Sequence, residues 1–263
     1  MPAPNASDYN ADMRPDRSVV ATTVDVATAD GRMLTSIFAP DDAWPVPAVI
    51  LLMDAIGIRD ELRNMARRLA GAGYVVALPN LYYRLGVLGT GPLPAAENIS
   101  ARTRISDMVE SLTMQGVMDD LRILIGHLRN HDRVDTGRLG VVGYCMSGRY
   151  AIGAAATFPY QVGAAASIYG THLVIDSPDS PHRAAARAQA ALYFACAEVD
   201  PWVPLETVDA LRAHLQTLPI DATVELYPGT EHGFAFSQRH SYDRQAAEQH
   251  WDRLLTLFSR NLP

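Results

Sequence analysis

The stretch Leu139-Gly140-Val141-Val142-Gly143-Tyr144-Cys145-Met146-Ser147-Gly148 decides how this chain is read. Leu139 to Val142 is a short apolar run of strand length, and a small-residue helical pattern begins at Tyr150. A strand that turns sharply into a helix around one reactive side chain is a nucleophile elbow. The apex side chain is thrust beyond the sheet, and small neighbours let the backbone take a strained turn. Here the apex is a thiol, Cys145, where a hydroxyl is more usual. Ser147 is not itself the nucleophile of such a turn, because the residue two before it is Cys145 and not glycine.

Outward from the elbow, strands and helices alternate. Val19-Val26 and Met33-Phe38 around Asp30-Gly31 read as an opening hairpin. Val46 to Met53 is a continuous apolar run, as expected of a strand covered on both faces. Leu62, Met65, Ala66, Leu69 and Ala70 recur at helical spacing until Gly71 and Gly73 stop the helix. Tyr74-Leu78 is a second buried strand, and residues 80–100, rich in Gly and Pro, read as a long loop. Val117, Leu121, Leu124 and Leu128 mark a further helix. After the elbow come strands at Gly163-Tyr169, Ala191-Ala197 and Thr223-Tyr227. A helix carrying Val208, Leu211 and Leu215 precedes the last strand, and a closing helix carries Ala247, Trp251, Leu254 and Phe258. This order builds one mostly parallel sheet with helices on both faces, a three-layer α/β sandwich. Residues 1–17 read as a flexible N-terminal extension and 18–263 as one domain.

A thiol nucleophile needs a base to take its proton, and the base needs a carboxylate to orient it. Ligands of such sheets sit beyond the carboxyl ends of the strands, so the partners belong just after later strands. Asp200 follows Ala191-Ala197, within Asp200-Pro201-Trp202-Val203-Pro204. His232 follows Thr223-Tyr227, within His232-Gly233-Phe234. Nucleophile, acid and histidine in this chain order match the α/β-hydrolase arrangement.

These motifs, with Met53-Asp54-Ala55-Ile56-Gly57 and Pro79-Asn80-Leu81-Tyr82, resemble the dienelactone hydrolase family from about Val46 to Phe258. The resemblance implies an α/β-hydrolase fold and a cofactor-free enzyme that cleaves a small ester or lactone. It implies Cys145 as nucleophile, His232 as general base and Asp200 as its orienter, acting through a thioester. It places a carboxylate, Asp54, against the resting thiol, and the N–H groups of Ala55 and Met146 in an oxyanion hole. The family position of Asp54 usually carries glutamate, and Ser147 stands where glycine is usual. Dienelactone-specific members carry an arginine four residues after the histidine; here that residue is Phe236. A second family arginine is matched by Arg102 or Arg104. Tyr144, Trp202, Phe234 and Phe236 are substrate-contact candidates; for Trp202, Tyr144 and Phe234, which flank the triad members, pocket wall and ordinary core packing are equal readings.

Composition narrows the alternatives. With 22 basic and 29 acidic residues the formal net charge is −7, which argues against nucleic acid and anionic membranes as partners. All the basic residues are arginine, which excludes Schiff-base lysines, a lysine-anchored cofactor, a phosphate-cradling P-loop and a Ser–Lys pair. Met1 to Ser18 lacks an apolar core and is not read as a signal peptide, and no stretch reads as a membrane span. Two cysteines without an export signal imply free thiols in the cytoplasm. Cys196, inside an apolar strand, reads as a core residue. His127 and His131 lie four apart on a helix but lack a third ligand, so no metal site is expected. His172 is a candidate for the pocket border or the surface. The chain is expected as a monomer or homodimer. The rival reading is a non-catalytic relative that binds a small ligand; a redox role would want a second cysteine in a Cys-x-x-Cys pair, which is absent.

Overall fold

The computed structural model describes residues 17–41, 44–89, 91, 98–135 and 137–262. The N-terminal extension therefore lies outside the described residues, apart from Arg17. Eight strands form one sheet: β1 (Val19–Thr28), β2 (Gly31–Pro40), β3 (Ala48–Leu52), β4 (Val75–Pro79), β5 (Leu139–Tyr144), β6 (Val162–Ile168), β7 (Ala191–Val199) and β8 (Ala222–Glu231). Their spatial order is β1-β2-β4-β3-β5-β6-β7-β8. β1 pairs with β2, and β2 with β4, antiparallel; every other neighbouring pair is parallel. The unbroken apolar runs become the central strands, and every residue of β3, β4, β5 and β6 is buried. Val46, read as part of β3, instead makes a single bridge to Val134.

The connections decide where the helices go. The helices are α1 (Asp60–Gly71), α2 (Ile99–Glu110), α3 (Met114–Arg129), α4 (Gly148–Thr157), α5 (Pro181–Ala184), α6 (Leu205–Leu215) and α7 (Arg244–Asn261). The chain steps from β3 to β4 in one direction along the sheet, then from β4 past β3 to β5 and onward in the other. Right-handed crossovers taken in opposite directions put their helices on opposite faces. Thus α1 covers one face while α3, α4 and α6 cover the other. The close approach of Met114 to Gly153 joins α3 to α4. The Arg68–Glu248 ion pair joins α7 to α1 on the first face. On α7, Trp251, Leu254 and Phe258 are buried, each side chain contributing about 1.5–3 kcal/mol of apolar transfer.

The reversal of direction falls between β3 and β5, and beyond their carboxyl ends lie Asp54 and Cys145. Such a switch point leaves a crevice, because the two adjoining chains leave the sheet toward opposite faces. Two helices were not legible in the sequence, the four-residue α5 and the longer α2. α2 buries only Met108, so it has no apolar stripe from which a period could be read.

Candidate active site

Cys145 follows the last residue of β5 and holds φ at 55°, a left-handed value rare for a side-chain-bearing residue. The turn is tight enough to dictate its neighbours. A Cβ on Gly143 would sit 2.1 Å from the Ser147 carbonyl oxygen, and one on Gly148 would sit 2.3 Å from Ser167 Oγ. Both positions therefore demand glycine, and the strain they permit lifts the sulfur above the sheet, where it is partly exposed.

Two later strand ends deliver the other groups. Asp200 leaves β7, and its Oδ1 accepts the backbone N–H groups of Trp202 at 2.9 Å and Val203 at 3.3 Å. Its Oδ2 lies 2.7 Å from His232 Nδ1. His232 follows β8, and its backbone N–H donates to the Val199 carbonyl, tying the two loops together. An ionised carboxylate only accepts, so Nδ1 carries the proton and Nε2 is left as the basic nitrogen. Nε2 is buried and makes no hydrogen bond of ordinary geometry, though the Cys145 sulfur is close enough to act on its charge. Burial opposes a charge on the ring, but the neighbouring Cys145 sulfur and the Asp200 carboxylate outweigh it. The imidazole is pushed up to about 9. Trp202 and Tyr169 pack on the ring at 4.7 and 5.0 Å between centroids.

Asp54 is fully buried, but its carboxylate is taken up by two arginines that the sequence reading did not single out. Arg59 donates to both oxygens, at 2.7 and 3.2 Å, and Arg239 Nη2 donates to Oδ2 at 2.7 Å. Arg59 also reaches Glu61, which accepts from Ser237 Oγ and the Gln238 N–H on the loop after His232. Burial works against the Arg59 charge, yet Asp54 and Glu61 hold its pKa above the usual value. Removing one member of such a buried network leaves an uncompensated charge, a loss of roughly 3–5 kcal/mol. Arg239 carries no periodic or motif signal, being seven residues past His232 in a non-repeating loop, so only the folded chain reveals it.

The remaining candidates divide. Phe236 is fully buried, with the Arg59 and Arg239 guanidiniums 4.7 and 5.2 Å from its ring centroid. Tyr144 is buried and bonds His250 Nε2 at 3.0 Å, and Phe234 stacks on Tyr227 at 4.8 Å. These three are packed into the interior, whereas Trp202 is 59% exposed at the edge of the imidazole. Arg102 and Arg104 are exposed on α2. Ala55 is half-buried and Met146 buried, on the two turns that flank the crevice. His172, exposed at φ 56°, follows Thr171, whose N–H donates to the Cys145 carbonyl. Among the described residues no group of three or more His, Cys, Asp or Glu could hold a metal ion, and no helix is long and apolar enough to cross a membrane.

Comparison with known proteins agrees with the fold. Residues 33–262 match the model of a family described as the dienelactone hydrolase family. The Methylorubrum extorquens protein named "Putative carboxymethylenebutenolidase" is 28% identical over 244 residues, 91% of this chain and 81% of that protein. A Bradyrhizobium protein named "Probable 2-oxo-3-(5-oxofuran-2-ylidene)propanoate lactonase" is 27% identical over 237 residues, 88% of this chain and 91% of the other. A solved structure titled "Putative Dienelactone Hydrolase", from Klebsiella pneumoniae, superposes with a TM-score of 0.83 at 27% identity. It covers 92% of this chain and 99% of that one.

Proposed function

The chain belongs to the dienelactone hydrolase family and is a carboxylic ester hydrolase, and we propose that it cleaves a small ester or lactone with Cys145, His232 and Asp200. The observation that carries this reading is the 2.7 Å bond from His232 Nδ1 to Asp200, which leaves Nε2 basic in the loop above a cysteine at φ 55°.

His232 Nε2 takes the thiol proton, and the Cys145 sulfur forms a bond to the carbonyl carbon. The carbonyl electron pair moves to oxygen, which the Ala55 and Met146 N–H groups receive; such a donor contributes roughly 10²–10³ in rate. Collapse breaks the bond to the leaving alkoxide or enolate, which takes the proton from Nε2, and a thioester remains. His232 then removes a proton from water as the water oxygen attacks the thioester. The second collapse expels the thiolate and releases the acid. Asp54 has its oxygens engaged by Arg59 and Arg239, so its part is to hold those arginines and the turn that bears Ala55. In a lactone the alcohol and acid remain one molecule after ring opening.

Phe236 gives up the charge that a carboxylate-binding arginine would supply, and Trp202 offers an apolar edge to the imidazole. Neutral or weakly polar esters and enol-lactones are therefore the substrates favoured by this reading. All eight strands belong to one hydrogen-bonded sheet, which supports a single domain from residue 18 onward. The two cysteines are unpaired, as a reducing cytoplasm would leave them.

The test is turnover of a panel of activated esters and lactones, charged and neutral, by wild type and by Cys145→Ala. Wild type should hydrolyse neutral members, and the variant should lose roughly 10³-fold or more in kcat. Undiminished turnover by Cys145→Ala would refute the nucleophile. A wild type inert toward the whole panel would favour a ligand-binding relative.

A further inference from the structure

The sheet ladder between β3 and β5 ends at the pair Leu52 and Gly143. Beyond it the two chains diverge, one into Met53-Asp54-Ala55 and the other into Cys145-Met146-Ser147, and no strand pairing holds them in register. Two side-chain hydrogen bonds take over that task. Ser147, fully buried, donates its hydroxyl to the Met53 carbonyl at 2.5 Å. Tyr82, also fully buried and arriving from the segment after β4, donates to the Ala55 carbonyl at 2.9 Å. The same phenol oxygen touches Met146 Sδ at 3.4 Å. With one proton to give, the phenol gives it to the carbonyl, the stronger acceptor, and the sulfur is a packing contact.

The result is a closed ring of contacts running Met53, Asp54, Ala55, Tyr82, Met146, Ser147 and back to Met53. Its two covalent arcs carry Ala55 and Met146, the residues whose N–H groups receive the oxyanion in the reading above. We propose that Ser147 and Tyr82 are positioning residues that set the separation and aim of the Ala55 and Met146 amides, and hence the rate of carbonyl addition; this rests on the hydrolase reading. Oxyanion donors must lie within about 2.7–3.1 Å of the developing charge, so small slack in either arc weakens both bonds at once. Because the ring acts on the transition state and not on ground-state binding, its loss lowers kcat and leaves KM nearly unchanged.

The experiment compares wild type, Ser147→Ala and Tyr82→Phe in two reactions of the same sulfur. One is hydrolysis of 4-nitrophenyl acetate, which builds an oxyanion. The other is alkylation of Cys145 by iodoacetamide, which does not. Each variant should lose roughly 10-fold in kcat with KM and alkylation rate held within about twofold. If Ser147→Ala fails to fold with the Met53 carbonyl unpaired, Tyr82→Phe carries the test alone. The proposal is overturned if kcat stays within twofold of wild type, or if alkylation slows in parallel with kcat. In those cases wild-type turnover still stands and only the positioning role fails. If wild type alkylates normally yet hydrolyses no ester, the hydrolase reading fails and takes the proposal with it.

Discussion

The two thiols of the chain sit near two parallel strands and meet different chemistry. Cys196 lies inside β7, 4% exposed, and burial pushes its thiol up to about 12. Cys145 lies one residue past β5, partly open, at a strained φ and next to an imidazole whose pKa its own charge helps to raise. A strand interior holds a sulfur among apolar atoms, where ionisation is penalised. A strand end at the switch point exposes it to groups brought by other loops. The difference of a few residues along a strand separates a packing atom from a candidate nucleophile.

The sharpest way to break this contrast is competitive alkylation. At pH 8 iodoacetamide should modify Cys145 at least about 100-fold faster than Cys196, followed by mass spectrometry of digested peptides. Equal rates, or Cys196 first, would mean that the burial contrast does not govern reactivity. A second measurement follows the imidazole by NMR. The His232 ring should titrate near 9, and Cys145→Ala should lower the midpoint by about one pH unit or more, since the sulfur's charge is lost. An unchanged midpoint would place the sulfur too far away to act with the imidazole. The folded-state value is raised, so the stability it confers is complete below the unfolded value near 6.5 and is lost as pH rises through about 9. The smallest effect concerns the packing thiol. Cys196→Ser buries a hydroxyl where a thiol lay and should cost about 1–3 kcal/mol in denaturant unfolding. Ester turnover per folded molecule should stay within twofold, and a large loss of kcat would show that β7 shapes the site more directly.

A similar contrast separates two buried histidines. His250 is fully enclosed, its Nδ1 donating to the Ala247 carbonyl and its Nε2 accepting from Tyr144, and burial lowers it to about 4. His232 is nearly as buried, yet it is raised because the Cys145 sulfur and the Asp200 carboxylate outweigh burial. Burial governs His250, whereas at His232 charged neighbours outweigh it.

The motifs on strand ends were readable because each combines a strong local constraint with a fixed place in the chain. Apolar runs gave the central strands within a residue or two, and the glycines around Cys145 announced the elbow. Helix α2 was not readable, since it buries too little to leave a pattern. The interior placement of Phe236, Tyr144 and Phe234 was equally hidden, because an aromatic residue beside a motif reads alike as wall or core. Asp54 was picked out, but its partners were not: Arg59 is five residues away and Arg239 is 185 residues away.

Local chemistry, written along the chain, was enough to determine the alternation of strands and helices, the strained cysteine turn and the order of sulfur, carboxylate and imidazole. These depend on backbone sterics and on apolar periods that repeat within a few residues. The clamp on Asp54 and the ring through Tyr82 and Ser147 were decided by the tertiary structure alone. Each needs side chains from separate loops to arrive at one switch point, and no period or spacing encodes a hydrogen bond between residues that only the folded sheet brings together.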